Sequence, residues 1–151
     1  MKSAQTWFDE YGESHQDHTN KLIHWICVPS IMFSLLGLIG MIPPPAAFGP
    51  ISWPIILVGL SLVYWFVLSP ALGMGMVFVS MLFLGTLHHL ANSGVPILQI
   101  SIGIFVAAWI GQFIGHKIEG KKPSFFKDLQ FLLIGPIWLL SDLYKRLGIK
   151  Y

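Results

Sequence analysis

From Leu22 to His116 the chain carries no Asp, Glu, Lys or Arg. A soluble fold of this size keeps most of its surface in water and cannot leave so long a run uncharged. Only 11% of the 151 residues are charged, against roughly 25% in an ordinary soluble domain. Lipid is the solvent that accepts such a segment, and within lipid the backbone has to satisfy its own hydrogen bonds. The apolar run contains helix-length stretches, which predicts an all-α integral membrane bundle forming one domain over 1–151.

Four transmembrane helices are expected, at 25–42, 51–69, 71–87 and 97–115. The first ends at Pro43-Pro44-Pro45 and the second at Pro70, and the third runs into His88-His89. Each is close to the ~20 residues that cross a bilayer. Glycines at 73, 75, 85, 103, 111 and 115 suit close helix packing. Residues 3–14 hold Trp7, Phe8 and Tyr11 on one side of a helix with acids opposite, which predicts an interfacial helix. A second interfacial helix is expected at 126–147. Its apolar part, Leu129 to Ser141, is too short to span and is interrupted by Gly135-Pro136.

The first 21 residues contain four acids and no apolar h-region, so the first span is expected to be retained rather than cleaved. Every Lys and Arg lies in 1–21 or 117–150, and an even number of spans puts both flanks on one face. The positive-inside rule makes that face cytoplasmic. The expected location is the endoplasmic reticulum in a eukaryote or the inner membrane in a bacterium. The net charge of +2 and the lack of a basic stripe argue against a nucleic-acid partner. Cys27, the single cysteine, excludes an internal disulfide.

The six histidines are the residues able to carry chemistry. Neutral imidazole is the commonest protein ligand for transition metals. His15, His18, His24 and His116 fall on one predicted membrane face, whereas four-span topology puts His88 and His89 on the other. On an unbroken helix His15 and His24 would point apart, about 900° of rotation separating them. A break near 15–18 would let His15 fold back. Asn20 and His24 share a helix face, as do Gln112 and His116, so two helix ends each offer an imidazole and a carboxamide. No nucleophile elbow, phosphate loop or dinucleotide fingerprint is present.

The pattern Tyr11…His15…Asn20…His24…Pro29, followed by Trp109…Gln112-Phe113…Gly115-His116…Glu119…Pro123…Gly135-Pro136, resembles the 2-hydroxy fatty acid dioxygenases over nearly the whole chain. Here His15 is followed by Gln16, where the family pattern has a second histidine, and Asp142 stands where it has Glu. The resemblance implies an Fe(II) enzyme that uses molecular oxygen to shorten a 2-hydroxy fatty acid by one carbon. It implies His15, His24 and His116 as metal-binding and catalytic residues; His18, His88 and His89 lie off the motif and are further metal candidates as histidines alone. Asn20, Gln112, Glu119 and Lys117 are candidates for the substrate site or for supporting the ligands. A carboxylate and a neighbouring hydroxyl can chelate iron, so few protein ligands are needed. Lys117, Lys121 or Lys122 would attract the substrate carboxylate. Two other classes fit the same residues: a haem or electron-transfer protein with axial histidines, and a non-catalytic lipid-binding protein.

Overall fold

The computed structural model describes residues 2–49, 51–120 and 125–151. Six α-helices and one short 3-10 turn, Ala46–Phe48, make up its regular structure. Helix α1, Ala4–Gly12, starts at Ser3, whose Oγ accepts the Thr6 N–H. The chain then leaves helical geometry, and Asp17 begins α2, His18–Gly40, by accepting the N–H groups of Thr19 and Asn20. Both are ordinary side-chain caps on otherwise orphaned donors. The break between them is the one that His15 requires.

Helix α3, Trp53–Leu68, is joined to α4, Pro70–Asn92, by Ser69 alone. Ser69 is extended and its Oγ accepts the Leu72 N–H. Pro70 therefore opens α4, where its missing N–H costs nothing. Helix α5, Ile97–Glu119, stops at Gly120, whose φ of +71° is the left-handed conformation that favours glycine. Helix α6, Phe125–Arg146, completes the chain.

Helix α2 packs most extensively on α5, and α3 packs on α4. Helix α6 lies across this assembly, touching α1, α2 and α4. Leu72, Met76, Ile134 and Ile137 are almost wholly buried where α4 meets α6, and Phe8 and Tyr11 of α1 join them. The outer faces are apolar: Phe78 is 71% exposed and Leu60 67%. An apolar surface of that extent suits lipid rather than water.

Helices α2, α4 and α5 are each long and apolar enough to cross a membrane, whereas α3 has only 16 residues. The helices extend beyond the sequence estimate at His18 and Glu119, because caps rather than hydropathy end them. The third runs through His88-His89 to Asn92. Gly85 and Gly103, expected in packing interfaces, have nothing within 4 Å of where a Cβ would stand. The helix expected at 126–147 is present as α6, but it continues without interruption through Gly135-Pro136. Pro136 has no N–H for the Leu132 carbonyl one turn earlier, and the helix continues past it. The Trp65 Nε1–H reaches in from α3 and donates to the Leu133 carbonyl at 2.8 Å.

Candidate metal centre

His15 lies in the short segment between α1 and α2, His24 on the second turn of α2 and His116 on the last turn of α5. Their ring centroids are 4.2 Å apart for His15–His24, 5.1 Å for His24–His116 and 5.7 Å for His15–His116. One nitrogen from each ring lies within 4.8 Å of those of the other two. Ligands held at about 2.1 Å from one ion can be at most about 4.2 Å apart. Side-chain shifts of under roughly an ångström would therefore bring them onto a common ion.

The hydrogen bonds fix which nitrogens face inward. His15 Nδ1 is 2.6 Å from the Tyr11 carbonyl, and His24 Nδ1 is 2.9 Å from the Asn20 carbonyl. A carbonyl only accepts, so Nδ1 carries the proton in both rings and each neutral ring keeps its Nε2 lone pair. Backbone carbonyls orient metal-binding histidines in the same way. His15 Nε2 is buried and has no hydrogen-bond partner. Burial lowers the His15 pKa from 6.5 to about 4, which keeps the ring neutral and able to bind a metal at physiological pH.

The segment holding His15 is tied from several sides. Tyr11 stacks on the His15 ring at 4.1 Å, and Trp138 of α6 lies 5.6 Å away. Glu119 accepts the N–H groups of Gln16 at 2.8 Å and Asp17 at 3.0 Å, and the Asn20 amide at 2.9 Å. The same Asn20 amide donates to the Ser14 carbonyl. One carboxylate at the end of α5 thus fastens the break to the start of α2.

Close approach of α2 and α5 depends on Gly115. A Cβ there would run into Asn20 Oδ1 and stand 3.4 Å from His24 Cε1. Gly115→Ala is expected to destabilise the fold by about 1–3 kcal/mol, as overpacking does. Thermal unfolding in detergent would measure this, and an unchanged midpoint would show that the helices can separate freely.

The three histidines sit at one end of an apolar pocket of about 120 Å³. Its walls come from α2, α3, α5 and α6, with Tyr11 beside the histidines. Gln112, one turn before His116, also lines it. Other sequence candidates lie elsewhere. His18 is exposed at the start of α2, and Lys117 is exposed. His88 and His89 are exposed near the end of α4, where His88 Nε2 meets the Asn92 amide. Leu87 beside them packs near Gly37, thirteen residues and roughly 20 Å along α2 from His24. Lys121, Lys122 and Pro123 lie outside the described residues. Sequence reasoning did not single out Phe131 or Trp138, because the helix that carries them read as lying at the interface, away from the histidines.

Fold and site together define an all-helical apolar bundle with a buried histidine cluster at the head of a greasy pocket. The family described as 2-hydroxy-palmitic acid dioxygenase Mpo1-like matches residues 1–147, and the chain belongs to it. Over 141 residues the chain is 28% identical to the 2-hydroxy-palmitic acid dioxygenase MPO1 of Saccharomyces cerevisiae, covering 91% of this chain and 78% of that protein. No solved structure matches it.

Proposed function

We propose that this protein is an Fe(II)-dependent dioxygenase that converts long-chain 2-hydroxy fatty acids to the acid one carbon shorter. The observation that carries this reading is the convergence of His15, His24 and His116 at the head of an apolar pocket. The donor set suits Fe(II): three imidazoles, with His15 Nε2 buried and awaiting a partner. Iron(II) held there supplies open positions for chelating oxygens and for dioxygen.

Glu119 is taken up by backbone and amide donors, so the cluster offers imidazoles and no carboxylate. A divalent ion among neutral ligands keeps its full charge and favours an anionic chelator, as a 2-hydroxy carboxylate is. The Gln112 amide, lining the pocket beside His116, is placed to donate to a substrate oxygen. Tyr11, Phe131 and Trp138 crowd the site and exclude water. The apolar walls take the acyl chain. In the membrane, α2 to α5 form four spans of one domain, with α1 and α6 at the cytoplasmic interface. The compartment is the endoplasmic reticulum or the bacterial inner membrane.

A haem fits less well. Axial ligands must face each other across a macrocycle, whereas His15 and His24 meet edge to face at 4.2 Å. Purified protein loaded with Fe(II) should consume oxygen with 2-hydroxypalmitate and be slow with palmitate, which lacks the second chelating oxygen. Equal turnover of both acids, or turnover that survives an iron chelator, would overturn the proposal.

A further inference from the structure

We propose that the pocket measures acyl-chain length, with Leu36, Leu57 and Val58 as its stop. This rests on the reading of the pocket as the acyl site and adds what limits the chain. The pocket follows one face of α2 from His24 through Val28, Ile31 and Leu35 to Leu36. Twelve residues of helix rise about 18 Å. Helix α3 runs back along the pocket. It starts beside the end of α2, where Pro54 meets Gly40, which puts Leu57 and Val58 near Leu36. Trp65 lies two turns further on, bonded to Leu133 of α6.

The far end is closed by the helices themselves. One turn beyond Leu36, a Cβ on Gly40 would stand 3.4 Å from Pro54 Cγ, so α2 and α3 meet there. Leu36 is 3% exposed and Val58 7%, with Leu57 half-buried beside them, so side chains of both helices fill this end. Two of the polar groups on the way are already satisfied, Ser61 Oγ by the Leu57 carbonyl and Trp65 Nε1 by that of Leu133. The rest of the wall between His24 and Leu36 on α2 is apolar. An uncharged hydrocarbon tail is the occupant this channel asks for. An extended chain advances roughly 1.2 Å per bond, a third of the reach of one residue, so 18 Å takes about 15 bonds. A saturated chain of about sixteen carbons, with its carboxylate end at the histidines, would reach the stop.

Iron-free protein in nanodiscs, titrated with straight-chain fatty acids against a fluorescent fatty acid, tests this without turnover. Affinity should rise about fourfold per methylene and then stop rising near about sixteen carbons. Leu57→Ala, which opens the end, should move the break to chains longer by two or more carbons. Val58→Phe, which fills it, should move the break to shorter ones. Affinity that keeps rising through about twenty-two carbons in the unaltered protein would overturn the stop, even if neither variant folds. An unchanged break in both folded variants would overturn the assignment to these residues. No binding of any fatty acid would instead remove the acyl-site reading beneath it.

Discussion

Replacing His24 with alanine is expected to strip the protein of iron and to lower its oxygen consumption on a 2-hydroxy fatty acid by more than about 100-fold. Loss of a group that merely orients a ligand already costs about 10–100-fold in metal affinity, and His24 would be a ligand itself. It is the ring closest to both of the others, at 4.2 Å and 5.1 Å. Without it, two imidazoles on separate elements face each other at 5.7 Å. The fold should survive, because His24 hydrogen-bonds only to the carbonyl of Asn20 in its own helix. A buried imidazole removed to alanine leaves a cavity worth about 2–4 kcal/mol. Circular dichroism and the unfolding midpoint would separate that cost from loss of the site. His18→Ala is the control, since His18 is exposed on the first turn of the same helix. A folded His24→Ala protein that kept its iron and its turnover would rule out the site.

The bundle was legible because one property, the absence of charge over Leu22–His116, constrains every residue of the segment at once. Helical periodicity likewise puts Asn20 with His24, and Gln112 with His116, since each pair belongs to a single helix. His15 is different. Its place depends on α1 turning back, which follows from burying Phe8 and Tyr11 against α6 more than a hundred residues away. Spacing along the chain contains nothing of that contact. Helix α6 was legible in its position, but its continuity was not, for a related reason. Gly135-Pro136 reads as a break when taken alone, but Ile134 and Ile137 on either side of it are buried against α4, and the helix runs through. The end of the pocket depends on Gly40 meeting Pro54 across a loop whose geometry the proline run does not dictate.

Glu119→Ala should be the most damaging substitution among residues outside the three-histidine cluster. Its two oxygens accept from Gln16 N–H, Asp17 N–H and the Asn20 amide, groups on either side of the break that carries His15. Hydrogen bonds to a charged acceptor contribute about 1.5–3 kcal/mol each when well formed, but water can replace part of them here because Gln16 and Asp17 are exposed. A stability loss of about 1–3 kcal/mol is therefore expected, below the sum of three such bonds. The effect on iron should be larger in proportion. His15 sits outside any helix, and the tether from Glu119 fixes the segment that presents its Nε2. Released, that ring samples many orientations, and iron affinity should fall about 10–100-fold, as it does when a ligand loses its supporting partner. Glu119→Gln should lie between, because a carboxamide keeps one accepting oxygen and turns an amide against the remaining N–H donors. Iron titration followed by optical or magnetic spectroscopy, alongside thermal unfolding, separates the two effects. If Glu119→Ala lost stability but bound iron as tightly as the unaltered protein, the carboxylate would only hold the helices together, and His15 would be positioned by Tyr11 and Trp138 alone.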